Sequence, residues 1–256
     1  MEFFIGLTAF LASMLTLFSG FGLGTILTPV FGLFFPIHIA VALTGVVHLL
    51  NNLFKVSLLG KHASRKYALA FGLPSVAGGL LGAWALARVS DLEPLYRWQW
   101  RATIHTVTWM KLLIAVLMIV FALAELVPFL KNYRFARKNL AAGGVLSGFF
   151  GGLSGHQGAL RTAFLVNAGL SKEQFIATGI IVACMVDLTR LPVYFTRFAW
   201  QDIADEWRIL ALASICAFAG AFLGARFLKK TTLGFVRWLA ACMILLISVL
   251  LGTGVI

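Results

Sequence analysis

Apolar residues run along this chain in eight long blocks, at about 3–35, 37–59, 67–87, 106–127, 139–169, 173–195, 207–228 and 234–254, parted by short polar or basic stretches. Most are long enough to cross a bilayer as helix. Residues 3–54 hold no Asp, Glu, Lys or Arg. The first and fifth blocks are interrupted by glycine. The first break reads Ser19-Gly20-Phe21-Gly22-Leu23-Gly24-Thr25; the second reads Gly151-Gly152-Leu153-Ser154-Gly155-His156-Gln157-Gly158-Ala159. Unwound backbone at membrane depth is tolerated only inside protein or beside a water-filled cavity. Paired breaks in corresponding places of two halves point to a transporter's binding site.

The eight blocks form two similar sets of four. A shift of 135 positions carries Ser19-Gly20 onto Ser154-Gly155, Ala42 onto Ala177, Asn52 onto Asp187 and Lys55 onto Arg190. A shift of 142 carries Gly78-Gly79-Leu80-Leu81-Gly82-Ala83 onto Gly220-Ala221-Phe222-Leu223-Gly224-Ala225, a GxxxG spacing that lets helix backbones approach closely in lipid. Lys111 and Arg237 each stand near the start of a fourth segment. The common order points to duplication.

Composition sharpens the class. The chain of 256 residues is 61% hydrophobic and 12% charged, with a mean hydropathy of +0.95, which reads as a polytopic helical membrane protein. The net charge of +12 is accounted for by basic loops, and no nucleic-acid-binding motif accompanies it. The start lacks a basic n-region and a cleavage site and reads as the first membrane segment. Cys184, Cys216 and Cys242 stand singly and read as small hydrophobes.

Loop charge decides between topologies. If the broken blocks are hairpins that enter and leave on one side, one face receives eleven Lys and Arg and the other five; if they are single spans, the division is nine to seven. The positive-inside bias favours the hairpins, with the richer face cytoplasmic and both termini outside. The expected fold is therefore an all-α polytopic membrane protein of two inverted four-segment repeats, each with a broken or re-entrant first helix. Residues 1–130 form the first repeat, 131–138 a basic cytoplasmic linker, and 139–256 the second repeat.

The candidate chemistry lies at the breaks and on the segments after them. Half-helices expected to begin near Gly24-Thr25 and Gly158-Ala159 would present free N–H groups and partial positive charge to an anion. The expected anion-binding set is Gly22, Gly24, Thr25, Asn52, Ser154, His156, Gln157, Gly158, Arg161 and Arg190. Alternatively, the glycines serve tight packing alone. His48, Asn51, Asn52 and Lys55 share one face of the second segment, and Asp187, Arg190 and Tyr194 one face of its counterpart. Asp187 either pairs with Arg190 or carries a proton; His48 is the other candidate proton carrier. Lys55 either faces the bundle or snorkels to the interface. The stretch 95–101 reads as an interfacial aromatic belt. No HExxH, P-loop, GxSxG or CxxC is present, so no enzyme, metal or cofactor is expected.

The two glycine motifs, Ser19 through Pro29 and Gly151 through Arg161, together with the duplicated four-segment plan, resemble the TauE/SafE sulfite exporter family over nearly the whole chain. That resemblance implies transport of sulfite, thiosulfate or organosulfonates across a bacterial-type inner membrane, with export by alternating access as the expected mode. An anion channel, or a membrane accessory or receptor protein without transport, stands as the alternative. The expected partners are a small anion and the lipid bilayer, with further copies of the chain left open and no nucleic acid. Pro29 falls on Phe164 under the 135 shift, so the two sides of the site are expected to be unequal.

Overall fold

The computed structural model describes residues 1–19, 22–101, 103–126, 139–198, 200–227 and 234–256. Gly20 and Phe21 of the first motif, the linker 131–138, and Lys229 and Lys230 lie outside the described residues.

Among the described residues, eleven α-helices carry the chain: α1 Glu2–Ser19, α2 Leu23–Gly32, α3 Ile37–Leu59, α4 Arg65–Ser90, α5 Trp109–Leu126, α6 Leu140–Ser154, α7 Gly158–Leu165, α8 Lys172–Arg197, α9 Trp200–Ala204, α10 Trp207–Phe227 and α11 Gly234–Gly252. The first and fifth apolar blocks are each split, into α1 and α2 and into α6 and α7, with the second half-helices starting at Leu23 and Gly158. Four helical stretches are long and apolar enough to cross a membrane: Ile37–His62, Arg65–Ser90, Lys172–Arg197 and Trp207–Arg226. Ser171 opens α8 with a capping box, its hydroxyl accepting from Gln174 N at 3.2 Å while the Gln174 side chain accepts from Ser171 N.

The fold is mostly rather than wholly helical. Between α4 and α5 the chain forms an antiparallel pair, β1 Tyr96–Trp100 and β2 Thr103–Val107, with Trp98 opposite His105. Alternating aromatic and β-branched residues suit paired strands, and Arg101 takes the positive φ of 54° that a tight hairpin turn demands. The fourth apolar block therefore begins as strand, and its helix starts only at Trp109. Trp98 Nε1 donates to Thr253 O at 2.8 Å, fixing the hairpin to the C-terminal end of α11.

The sequence halves do not pack as two separate bodies. Helix α4 lies along α6 and α8, α10 lies along α1 and α3, α3 crosses α8, and α5 pairs with α11. Each half lends its third long segment to the other. Glycines set these contacts. A methyl on Gly78 or Gly82 would overlap the carbonyls of Val145 and Phe149, and one on Gly220 or Gly224 would press on those of Phe10 and Met14. The 142 shift carries Gly78 and Gly82 onto Gly220 and Gly224. The 135 shift carries Phe10 and Met14 onto Val145 and Phe149. Two offsets read separately from the sequence thus meet in one reciprocal contact, and α4 runs parallel to α6 as α10 runs parallel to α1.

The two ends of each split block lie near one another. The Phe4 ring at the start of α1 lies 6.3 Å from the Phe34 ring just past α2. A methyl on Gly143, near the start of α6, would overlap the Phe164 ring near the end of α7. The breaks meet in the interior, where a methyl on Gly24 would lie 3.2 Å from Gly155 O.

Gly82→Ala and Gly148→Ala should each lower the melting temperature of the detergent-purified protein by about 5–10 °C, because the added methyl has only backbone to displace. Gly32→Ala, whose methyl meets Ile37 Cδ1 at 3.6 Å, should leave it nearly unchanged.

Candidate functional site

A helix that ends inside protein leaves its last carbonyls without partners. At the end of α6, Gly155 takes a left-handed φ of 82° and its N–H donates to Gly151 O at 2.9 Å. Helix α8 supplies the other donors. Arg190 Nη1 donates to Gly151 O at 3.3 Å, and the Tyr194 hydroxyl donates to Gly152 O.

Arg190 is fully buried and so needs a counter-charge. Asp187, also fully buried, supplies it: Arg190 Nε donates to Asp187 Oδ1 at 2.9 Å, with Nη2 also 2.9 Å from that oxygen. His48 on α3 lies with Nδ1 2.6 Å from Asp187 Oδ2. The tautomer that satisfies both neighbours has Nδ1–H donating to Asp187 and Nε2 accepting from Asn52 Nδ2 at 3.3 Å. The ion pair is thus tied across the two halves. Gly45 is needed beside it, since a methyl there would lie 2.9 Å from Leu191 Cδ2 and 3.4 Å from Arg190 Nη2.

A second cluster lies where α7 begins. Gly158 opens α7, whose first N–H groups have no intrahelical acceptor. His156 and Gln157, each 1% exposed, precede it. His156 Nδ1 lies 3.0 Å from Ser154 O and from Ser154 Oγ, and Phe121 stacks on its ring at 5.5 Å. His156 Nε2, both amide atoms of Gln157 and Arg161 Nη1 are buried without a hydrogen-bond partner. Buried polar groups normally find partners, and four of the eight unpartnered buried side-chain atoms among the described residues fall within these six residues. In the neutral ring Nε2 carries the lone pair, because Nδ1–H donates to Ser154 O; His156 offers an anion a donor only when protonated.

Lys55 is buried rather than at the interface, at 5% exposure. Turned so that each amide atom meets a complementary neighbour, Asn51 accepts from Lys55 Nζ at 3.0 Å and donates to Ala217 O at 3.2 Å, with Ser13 Oγ 3.1 Å away. Lys55 and Arg161 act on one another electrostatically, and both act on Cys184.

The structure therefore brings His48, Asn52, Asp187 and Arg190 together, and separately groups Gln157, Gly158 and Arg161. Arg161 and Arg190 meet α8 at different places, although Asp187 acts on both. The Arg161 Nε atom faces Gly179, where a methyl would lie 3.2 Å from it, and Arg190 stands eleven residues further along α8, about 16 Å of helix. Gly22 caps α2 with φ −81° and ψ 143°, and Thr25 N donates to Gly22 O at 3.0 Å. Ser154 Oγ donates to Phe150 O at 3.2 Å. The capping by Tyr194 and the Asn51–Lys55 contact lie outside the expected site set; both residues share the helical faces noted in the sequence, and that periodicity was the available signal. A distinct cavity of about 660 Å³ lies at the other end of α2, lined among others by Phe34, His38, Thr108, Lys111 and Ile256 and by none of the expected site residues.

A family model described as sulfite exporter TauE/SafE matches residues 5–251. No curated protein and no solved structure matches the chain.

Asp187→Asn should cost about 3–5 kcal/mol of stability, because it leaves Arg190 charged and unpaired in the interior. Unfolding of the detergent-solubilised protein measures it. The double change Asp187→Leu with Arg190→Met should recover most of that loss, and failure to recover it would show that the pair contributes more than compensation.

Proposed function

The chain belongs to the TauE/SafE sulfite exporter family, and from that membership we propose that it carries sulfite, thiosulfate or an organosulfonate out of the cell. It is an integral membrane protein of a transporter family. We place it in a bacterial-type inner membrane, working by alternating access around a fixed site, with no nucleic-acid partner. The observation that carries the site is the set of unpartnered buried atoms at the start of α7. Gln157 Nε2, Arg161 and the free N–H groups of Gly158 and its neighbours are donors on one side of a break, and charge-assisted donors suit an oxyanion. Thr25 and Gly24 on the facing break, and Asn52 and Ser154, complete the lining; Arg190 holds the break in place; His48 and Asp187 are the groups through which a proton would couple.

Inverted repeats, over 1–130 and 139–256, are part of the proposal. The reciprocal glycine contacts support duplication, and the return of Phe34 to Phe4 and of Phe164 to Gly143 supports re-entrant hairpins. The Trp98–Thr253 bond supports placing the β-hairpin and the C-terminus on one face; single-span broken segments would put them on opposite faces. With the basic loops cytoplasmic, that face is external. An inside-negative potential favours anion export by about 2.3 kcal/mol per charge per 100 mV without any coupled ion.

Counterflow of labelled thiosulfate in proteoliposomes should be saturable and without bulk conductance; single-channel currents would establish the channel alternative. Arg161→Ala should weaken thiosulfate binding roughly 10–100-fold while leaving the melting temperature near that of the parent. For topology, a cysteine at His62 should be labelled from the cytoplasm and one at Gln99 from outside; the reverse pattern would overturn the orientation.

A further inference from the structure

The charge of the bound species follows from the buried charges around the breaks. Four ionisable side chains lie there: Lys55, Asp187 and Arg190 are buried, and Arg161 is partly buried. Asp187 is the one buried carboxylate among the described residues, and it is engaged by Arg190 and His48. With His48 neutral and the three basic side chains protonated, two positive charges are left over.

They belong to Lys55 and Arg161. Neither has a carboxylate within ion-pair distance among the described residues. Arg161 lies against Gly179 on α8, Lys55 and Arg161 both act on Cys184 one turn further on, and Asp187 acts on Arg161 at longer range without pairing with it. Like charges near one another in a poorly polarisable interior repel strongly. The Asn51 amide oxygen offers Lys55 a dipole and no charge. Arg161 Nη1 and both Gln157 amide atoms are buried with no partner. Arg190 differs: its Nε and Nη1 donate to Asp187 and Gly151 O, its Nη2, without a hydrogen bond of its own, lies 2.9 Å from the Asp187 carboxylate, and Gly45 and Gly155 close around it.

We infer that the anion site, if the transport reading holds, is built for a doubly charged oxyanion held between Lys55 and Arg161, with Gln157 as the neutral donor and Arg190 excluded from contact. One negative charge would leave the cluster with an uncompensated cation; two neutralise it. The site should therefore separate anions by charge more than by the group attached to sulfur.

Thiosulfate carries two charges and methanesulfonate one, on similar oxygen-bearing sulfur centres. Equilibrium binding of both to the purified full-length protein, at fixed pH and ionic strength, should show thiosulfate bound at least about tenfold more tightly. Lys55→Gln should weaken both anions but thiosulfate more, by about tenfold against about threefold for methanesulfonate, and so narrow the advantage, while Lys55→Arg should keep it. A melting curve identifies a variant that has failed to fold, in which case the parent's preference and Lys55→Arg carry the test. Equal affinity of the two anions in the parent, or equal weakening of both by Lys55→Gln, would overturn the dianion inference and leave the anion site standing. Binding of neither would instead overturn the transport reading itself.

Discussion

A helix that stops inside an apolar environment must find partners for its last carbonyls, and in lipid no water supplies them. Everything around the second break follows from this. Arg190 and Tyr194 reach the carbonyls of Gly151 and Gly152 from α8. Arg190 brings a charge that Asp187 must balance, and Asp187 then takes His48 from α3 as a second partner. The break is thereby fixed to two long helices, one from each half. Glycine at 45 and 155 makes room for the guanidinium. The capping that allows backbone to unwind at α6 meets the carbonyl demand on one side of the break, while the first N–H groups of α7 have no intrahelical acceptor on the other.

The first break solves the same problem with different residues. Under the 135 shift Lys55 stands for Arg190, Asn52 for Asp187 and Ile26 for Arg161. Where Ser13, Asn51 and Ala217 form a hydrogen-bonded contact among α1, α3 and α10, the corresponding places are Gly148, Val186 and Ser75, and there backbones press together instead. On the proposed duplication, one copy carries a balanced ion pair and the other a lysine free of any carboxylate partner among the described residues. Such inequality suits a transporter whose two faces must treat one anion differently.

Much of this was legible in the sequence because it obeys simple periods. The i, i+3, i+4, i+7 placement of His48, Asn51, Asn52 and Lys55 put them on one face, and the structure buries all four. The breaks and the starts of α2 and α7 came within two residues, since glycine runs in apolar sequence have few other uses. The GxxxG spacing at Gly78 and Gly220 announced close helix contacts, though not their partners. Pairings between halves were not legible. No local spacing ties His48 to Asp187, or Gly82 to Phe149, because those contacts arise from the way α4 and α10 are exchanged. The β-hairpin was missed for a different reason: Tyr96, Trp98 and Trp100 alternate as a strand should, but the same residues fit a membrane interface equally well. That Arg161, from α7, packs on α8 at Gly179, about three turns before Arg190, is also a tertiary fact, invisible while both count merely as cations near a break.

The central claim is that a small sulfur-type oxyanion sits at the start of α7 between Gln157 and Arg161. Selenite is a heavier analogue of sulfite with a strong anomalous signal. In crystals of the full-length protein soaked with selenite, the anomalous peak is expected beside Gln157 and Arg161, within reach of Lys55. A peak confined to the cavity lined by His38 and Lys111, with none at the start of α7, would contradict the claim.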